Sequence, residues 1–465
     1  MKARDFNGGG RVVGQDHDSG ETQTSRRRIV HTKLASTGAI VACAAALAAG
    51  CGSSGSSSSG GGGASSAAAS GGITIHGGSA VTPAMAASPK GNVTWCIGKD
   101  TTGAFSQVVK LYNTAHPSVH VSLLELPTSA DQQRQQLVQR EQAKSSECDI
   151  LGMDVIWTPE FAGQGWLRDV TQAIQARASE FIPSTLNTTK IGNQYWAIPF
   201  NTNAGLLYYD KSKVHTAPTT WQQVYQDGKA DGGFAYQGQS YEGLTVDFLE
   251  MVYSAGGSVL SPDGKTATID SPQAQQVLAF MQQGLKDGAV PQANLTYMEE
   301  DSRNAFQTGK VSLLRNWPYV YALAKQAHVN FGVAPLPTWA GGKPADVLGG
   351  YNLGISTYSK NPGAALSFIN FATAAAAQKT FFIKSSLPAV ITSVYHDPAV
   401  VASQPFAPQL LKAVQNGVPR PVSPVYTQIS EAIYKNVYSA LSSGTSPSTA
   451  LANSQSQINS ALKTF

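Results

Sequence analysis

Hydrophobic and polar positions follow two different periods in the first part of the folded chain. They alternate over 92–97 and 119–126, which predicts strands, and 148–153 has the apolar character of a buried strand. Apolar residues recur every three or four positions over 105–112, and a Gln- and Arg-rich helix is predicted over 130–144. This strand–helix–strand–helix–strand order predicts parallel βαβ units with right-handed crossovers.

The pattern changes after about residue 200. A strong strand is predicted soon after the segment 195–200, followed by a helix centred on Trp221 and a loop rich in Gly, Gln and Tyr. The helix over 244–255 ends at the glycine pair Gly256 and Gly257, as helices commonly do. The remaining predicted elements are a strand at 204–209, helices at 271–286 and 298–307, strands at 311–314 and 354–356, and a mostly helical tail from 409.

The N-terminal leader has the pattern of a bacterial secretion signal. Arg26, Arg27, Arg28 and Lys33 precede an uncharged, alanine-rich stretch that ends immediately before Cys51. A cysteine at this place is typical of a lipobox, in which the thiol is acylated and becomes the first residue of a mature lipoprotein. We therefore predict a signal peptide over 1–50 and lipidation of Cys51.

Two alternatives concern this leader. The usual leucine three positions before the cysteine is replaced by Ala48, with Leu47 one step earlier. An uncleaved spanning helix would need about 20 strongly apolar residues, and this stretch is shorter and mostly alanine. The three consecutive arginines fit a twin-arginine export signal or an ordinary positive flank, so the export route stays open.

Residues 51–90 consist mainly of Ser, Gly and Ala, and we predict that they form a flexible tether. In the whole chain the net charge is only +4, and charged residues make up 13% of the composition, about half the usual share. No basic face stands out, which argues against nucleic acid as a partner. Gln, Asn, Ser and Thr take the place of charged residues, a composition that suits an extracellular protein handling neutral polar ligands.

Cys96 and Cys148 remain as a lone pair of cysteines in the folded part of the chain. In an oxidising compartment a disulfide between them is expected, and two buried free thiols are the alternative. Neither the cysteines nor the scattered histidines have metal-ligand spacing, so we expect no metal and no cofactor.

Five phrases occur in an order that resembles a known family. They are GNVTWCIGKDTTGAFSQVVKLYNTAHPSVHVSLLELP, CDILGMDVIWTPEFAGQGWLRDVT, YWAIPFNTNAGLLYYDKSKV, LRNWPYVYAL, and GVAPLP followed by VLGGYNLGIS. The chain resembles extracellular solute-binding proteins (family 1) of carbohydrate ABC transporters, most closely the trehalose/maltose-type binding lipoproteins of actinobacteria. The resemblance covers the chain from about residue 91 to its end.

The resemblance implies an α/β, two-lobed, periplasmic-binding-protein-like fold of type II, with each lobe discontinuous and the ligand cleft between the lobes. Lobe 1 would use 91–200 and 331–385, and lobe 2 would use 201–330 and 386–465. The protein would be a monomer, anchored by lipid to the extracellular face of the cytoplasmic membrane. It would close on a small-molecule sugar by a hinge motion and deliver it to ABC permease subunits.

A sugar presents hydroxyl groups at its rim and C–H groups on its faces, so its binder needs aromatic rings and bidentate polar side chains. Asp154 follows the buried strand at the mouth of lobe 1, where the family places a ligand-binding acid. Its structural alternative is a helix N-terminal acid that favours the helix dipole. Arg134 matches a family arginine, or is a solvated helix residue. Asn201 and Asn203 lie on the hinge and contact ligand or form a turn.

The second group of candidates comes from the later motifs. Either Glu299 or Glu300 is expected to contact the ligand, and we choose Glu299; a solvated acidic helix start is the alternative. Trp317 and Tyr319 match family stacking aromatics, with burial in the core as the alternative. The other candidates are Gly350 and Tyr351 from the GGYN phrase, Arg420 between two prolines, and Asp100, which stands in the loop after the first strand where some relatives carry a glutamate.

Two rival functions follow from the same residues. A secreted glycoside hydrolase would need two opposed carboxylates, for which Asp154 and Glu299 are conceivable, but no local signature supports it. A binder of peptides or of another solute is the second rival. The sequence leaves open which sugar, linkage and length the protein would bind, and which permease receives it.

Overall fold

The structure of the protein is a computed structural model that describes residues 77–464. The predicted signal peptide and the predicted lipidation site Cys51 lie outside the described residues. Within the described part of the chain, no helix has the length and apolarity needed to cross a membrane.

The strands of the described part are short, and most have one or both faces buried. In chain order they are β1 (Gly91–Gly98), β2 (Val119–Leu126), β3 (Ile150–Asp154), β4 (Lys190–Ile191), β5 (Gln194–Tyr195), β6 (Ile198–Asn203), β7 (Leu206–Asp210), β8 (Phe234–Ala235), β9 (Leu313–Asn316), β10 (Phe331–Pro335) and β11 (Gly349–Ile355).

The α-helices surround these strands. In chain order they are α1 (Pro83–Ala86), α2 (Ala104–Ala115), α3 (Ala130–Gln142), α4 (Thr158–Gly163), α5 (Thr171–Gln175), α6 (Pro183–Asn187), α7 (Trp221–Asp231), α8 (Glu242–Ser254), α9 (Pro272–Asp287), α10 (Glu299–Gln307), α11 (Val320–Gln326), α12 (Pro362–Ala372), α13 (Ala375–Ser385), α14 (Pro398–Ser403), α15 (Ala407–Asn416), α16 (Tyr426–Ser443) and α17 (Pro447–Leu462).

The first sheet has the strand order β2-β1-β3-β11-β6. β1 runs parallel to β2 and β3, as the βαβ pattern predicts, whereas β11 is antiparallel to both β3 and β6. Trp95 in β1 is fully buried and packs edge-on against Phe200 of β6, with ring centroids 5.3 Å apart. Because β1 and β3 are parallel, their carboxyl ends lie at the same edge of the sheet.

The second sheet has the order β10-β7-β9-β8 and carries helices α7 to α10 and the C-terminal helices. Local signals define several helix ends: the Thr220 side chain caps α7 in a capping box with Gln223, and Ser271 caps α9. Helix α8 is buried along nearly its whole length because it packs between α9 and α16. The two sheets with their helices form the two lobes of the molecule.

The chain passes from one lobe to the other at 204–205, at 336–348 and at 417–425. Two expected lobe boundaries differ from the observed arrangement. β10 pairs antiparallel with β7 in the second sheet, so lobe 1 resumes only at β11 and not at residue 331. Residues 386–416, expected in lobe 2, pack on lobe 1 instead, since α14 lies against α13 and α15 lies against α6.

The expected tether ends earlier than residue 90. Val81 is completely buried, and its amide donates to the Asp169 carbonyl oxygen at 2.8 Å. Helix α1 packs against α12, where a side chain on Gly363 would collide with the Met85 backbone. The folded body therefore includes the described residues before 91, because one apolar side chain and one helix turn attach them to lobe 1.

A disulfide joins Cys96 in β1 to Cys148, which precedes β3, with 5.7 Å between the two Cα atoms. Both cysteines are fully buried. The bond joins β1 to the segment that enters β3, its parallel neighbour in the first sheet, at the end of β3 opposite to Asp154.

Candidate ligand-binding site

A cavity of about 340 Å³ lies between the two lobes, at the lower end of the range usual for small-molecule sites. Both lobes and the crossing segments contribute to its wall. Among the residues predicted from the sequence, those that line it are Asp100, Asp154, Asn201, Asn203, Glu299, Trp317, Tyr319, Gly350, Tyr351 and Arg420. Arg134 does not line the cavity.

Aromatic rings contribute to both walls. Trp317 and Tyr319 follow β9 in lobe 2, and Tyr241 immediately precedes α8. On the lobe 1 side, Tyr351 in β11 and Phe105 in α2 line the same space and contact each other edge-on. Such rings can cover the C–H faces of a flat ligand from opposite sides.

The guanidinium group of Arg315 lies over the indole ring of Trp317. The guanidinium carbon of Arg315 lies 4.1 Å from the ring centroid, a cation–π distance. Arg315 is itself buried, and its Nε lies 2.8 Å from a carboxylate oxygen of Asp247 and 2.8 Å from one of Glu250. Its Nη1 donates to Gln237 Oε1 at 2.7 Å. This network fixes one side of the indole, while Trp317 remains part of the cavity wall.

Tyr319 and Glu300 form a second fixed pair. The Tyr319 hydroxyl donates to Glu300 Oε1 at 2.6 Å, and Arg303 Nη2 donates to Glu300 Oε2 at 2.6 Å. The carboxylate of Glu300 is thus neutralised by the next turn of its own helix.

Tyr351 and Asn201 owe their positions to an irregularity between β6 and β11. Gly350 adopts φ +119°, and a Cβ there would come within 2.3 Å of the Asn201 carbonyl oxygen. The Asn201 side chain accepts a hydrogen bond from the Tyr351 amide at 3.1 Å, and the Tyr351 hydroxyl donates to Gln133 at 3.0 Å. Asn201 therefore holds the strand that presents Tyr351.

Arg420 connects the two lobes through carboxylates. Its Nη2 donates to Asp154 Oδ1 at 2.6 Å, at the end of β3 in lobe 1. Its Nη1 donates to Glu242 Oε1 at 2.7 Å, at the start of α8 in lobe 2. The Arg420 side chain is 2% exposed, so both interactions take place largely out of water. Two residues predicted as separate ligand contacts, Asp154 and Arg420, are thus partners of each other.

Glu242 is the centre of a buried group. Besides Arg420, it accepts hydrogen bonds from the Tyr426 hydroxyl at 2.6 Å and from the Ser430 hydroxyl. Its amide donates to Asp131 at 3.3 Å, which adds a contact between α8 and α3 of lobe 1. Burial raises the pKa of Glu242 to about 7 against the opposing effect of Arg420.

Glu299, at the first position of α10, faces the cavity near Tyr241. Burial raises the pKa of Glu299. The Tyr241 hydroxyl is buried and makes no hydrogen bond to any residue within 77–464. After burial, the charge of Glu299 contributes most to the raised pKa of Tyr241, and both residues line the same cavity.

Two predicted contacts have structural partners instead. Arg134 forms a bidentate ion pair with Glu160, with Nε donating to Oε2 at 2.7 Å, because α3 and α4 are adjacent. Asp100 lines the cavity, but its Oδ1 accepts from the Thr102 amide at 2.8 Å and its Oδ2 from the Phe105 amide at 2.9 Å. Asp100 therefore fixes the loop before α2.

The sequence analysis missed several wall residues, notably Tyr241, Glu242 and Gln133. Tyr241 and Glu242 follow a loop rich in Gly, Gln and Tyr, a composition that signals a binding loop but does not single out one side chain. Gln133 is adjacent to the chosen Arg134 but lies on a different face of α3, and it is Gln133 that lines the cavity.

Two lobes that are each discontinuous in sequence, with a polar and aromatic cavity between them, define a solute-binding protein of the extracytoplasmic type. A family model described as bacterial extracellular solute-binding protein matches residues 98–379. The chain belongs to this family. The family and its relatives are binding proteins of transporters and not enzymes, and they act outside the cytoplasm.

Three similar proteins illustrate the relationship. A probable ABC transporter-binding protein of Deinococcus radiodurans is 35% identical over 363 residues, which cover 73% of this chain and 86% of the relative. The maltose-bound MalE3 of T. maritima is 33% identical with a TM-score of 0.75, over 80% of this chain and 99% of that one. A Thermotoga lettingae solute-binding protein with bound alpha-D-tagatose has the same fold, with a TM-score of 0.74 at 23% identity over 80% and 99% of the two chains.

Proposed function

We propose that the protein is the substrate-binding component of an ABC sugar importer and captures a neutral disaccharide or oligosaccharide of the maltose or trehalose type. The observation that carries this proposal is the cavity wall, to which both lobes contribute aromatic rings together with carboxylate and amide groups. The similarity to a maltose-bound protein at 33% identity supports the same ligand class.

Binding would be reversible capture without chemistry. Asn203 and Gly350 lie on or beside crossing segments, and Trp317 and Tyr351 belong to opposite lobes. A sugar that touches both rings makes its full set of contacts only when the lobes are close, so it favours the closed form. The permease would then receive the sugar from the closed protein.

We also propose that the mature protein is a monomer held at the extracellular membrane face by a lipid on Cys51. The layout of the leader supports this anchor. Replacing Cys51 with Ser should leave folding unchanged and release the protein into the medium, which cell fractionation would detect. Retention of the Cys51→Ser protein in the membrane fraction would reject the anchor.

A calorimetric binding screen tests the ligand class. Trehalose, maltose, longer maltodextrins and other disaccharides would be titrated into the protein, with di- and tripeptides as the non-sugar arm. We expect a saccharide to bind and small-angle scattering to show compaction with it. Trp317→Ala should weaken that binding by about 2 kcal/mol, as loss of a central anchor does. Binding of peptides and of no saccharide would reject the proposal.

A further inference from the structure

Within residues 77–464, the cavity wall carries more carboxylates than cations. Lys99 and Arg420 are its two cationic side chains. Its carboxylates are those of Asp100, Asp154, Glu242, Glu299, Glu300 and Asp301. A ligand cation is therefore expected only at a carboxylate that no group of the described residues pairs with.

Within the described part of the chain, all but one of these carboxylates have ion-pair or hydrogen-bond partners that fix them. The exception is Glu299. The partners of the others are backbone amides of Thr102 and Phe105 for Asp100, Arg420 for both Asp154 and Glu242, Arg303 for Glu300, and the Met298 amide for Asp301.

Glu299 forms no ion pair with a cation of the described residues. Arg303 of the same helix is paired with Glu300, and Arg315 behind Trp317 is paired with Asp247 and Glu250. Burial raises the pKa of the Glu299 carboxyl, and the positive charge of Arg315 opposes that rise only in part.

The Tyr241 hydroxyl is a second sign of a ligand group at this place. Tyr241 is 3% exposed, and its oxygen has no hydrogen-bond partner in the described part of the chain. A buried hydroxyl without a partner is costly unless a ligand supplies one. Tyr241, Glu299 and the ring of Trp317 all belong to the lobe 2 wall of the cavity.

We propose that Glu299 and Tyr241 form a subsite for a protonated amino group on the saccharide, and that the protein prefers an amino-substituted sugar over its neutral parent. This inference rests on the proposed sugar-binding function. The ammonium would donate hydrogen bonds to the Glu299 carboxylate and the Tyr241 oxygen, and an aromatic face nearby favours a positive charge. No bond is made or broken.

The test compares matched ligands that differ by one group. The neutral saccharide that binds most tightly in the screen is compared with its mono-amino derivatives, one for each hydroxyl position, by calorimetry at about pH 6.5, where the amine is protonated. Because a charge-assisted hydrogen bond is about twice as strong as a neutral one, at least one derivative should bind about tenfold more tightly than the parent.

Variants assign the effect to the subsite. Glu299→Gln should abolish the preference, so that the amino derivative and the parent bind equally, and Tyr241→Phe should reduce it. Glu180→Gln makes the same change of charge at an exposed ion pair with Arg177 and should leave the preference intact. The inference is overturned if no amino derivative binds more tightly than the parent, or if the preference survives in Glu299→Gln.

The outcomes separate this inference from the proposed function. Tight binding of the neutral parent without any gain from an amino group rejects the subsite and leaves sugar binding in place. Failure of every saccharide, amino-substituted or neutral, rejects the proposed function and the subsite with it.

Discussion

Arg315 and Arg420 are both buried beside the cavity, and each is held by two carboxylates. The partners of Arg315, Asp247 and Glu250, both lie on α8 within lobe 2. The partners of Arg420 come from both lobes, Asp154 from the end of β3 and Glu242 from the start of α8. The chemistry is the same, but only the Arg420 network spans the cleft.

Because of this difference, the two networks should contribute differently to folding stability and to closure of the lobes. The Arg315 network is complete whenever lobe 2 is folded, so it contributes equally to the open and the closed protein. The Arg420 network requires the lobes to be close, so it stabilises the closed form selectively and thereby adds to ligand affinity. Loss of Arg315 should appear as loss of folding stability, and loss of Arg420 as loss of closure.

Replacing Arg315 with Met should have the largest effect. The variant leaves Asp247 and Glu250 buried without a cation, and breaking a buried pair in this way typically costs 3–5 kcal/mol. We expect the free energy of unfolding, measured by urea denaturation, to fall by about 4 kcal/mol.

A matched control is Lys435→Met, which breaks the exposed pair with Glu431 and should change stability by less than about 1 kcal/mol. If Arg315→Met were as stable as the control, the Arg315 network would not be a structural element of lobe 2.

The pH dependence of stability should identify Glu242 within the Arg420 network. Its pKa in the folded protein is about 7, above its ordinary value of 4.5, so the folded state binds the proton more tightly than the unfolded state. Its contribution to stability is therefore present below pH 4.5 and is lost as the pH rises to 7. Glu242→Gln should lack this decline, which corresponds to about 3 kcal/mol.

Urea denaturation of both proteins in steps from pH 4 to pH 8 measures that difference. Glu431→Gln, which changes an exposed carboxyl, should retain the decline seen in the unmodified protein. Parallel pH profiles for the unmodified protein and Glu242→Gln would contradict the raised pKa.

Arg420→Met should affect ligand binding more than folding. It removes the connection between Asp154 and Glu242, and truncating one partner of a buried, hydrogen-bonded charge pair costs about 2 kcal/mol or more. Because that cost falls mainly on the closed form, sugar affinity should drop about 30-fold, which corresponds to about 2 kcal/mol. Calorimetry measures the affinity, and scattering should show less compaction at saturating sugar.

The comparison fails if Arg420→Met loses as much folding stability as Arg315→Met while its sugar affinity is unchanged. In that case both arginines would be structural elements of lobe 2, and Asp154 would contact Arg420 without any effect on closure.

The sequence predicted the parts of the fold and site that depend on local pattern. The strands and helices around the first sheet follow from periodicity, and β2 was predicted with its observed bounds. Trp317 and Tyr351 were selected by motif and do line the cavity. Asp100 also lines it, although its helix-start hydrogen bonds could have been inferred from the Asp-x-Thr spacing.

Long-range pairing could not be predicted in the same way. The partner of Arg134, Glu160, is 26 residues away, and the partner of Glu242, Arg420, is 178 residues away. Periodicity carries no information about which charged residues of distant segments meet. For the same reason the sequence predicts a tether around Val81, since one buried valine in a Ser, Gly and Ala context gives no periodic signal.

Tyr426→Phe should have the smallest effect and shows how far the Arg420 network reaches. The change removes the hydroxyl that donates to Glu242 at 2.6 Å but leaves the buried ring and the Arg420–Glu242 pair in place. One lost hydrogen bond to a charged group costs about 1.5 kcal/mol, and here Ser430 and Arg420 still satisfy the carboxylate, so we expect about 1 kcal/mol in unfolding free energy. Because Tyr426 and Glu242 belong to the same lobe, the sugar affinity of Tyr426→Phe should change less than about threefold. A larger loss of affinity in calorimetry would mean that the orientation of the Glu242 side chain, and not only its charge, controls closure of the lobes.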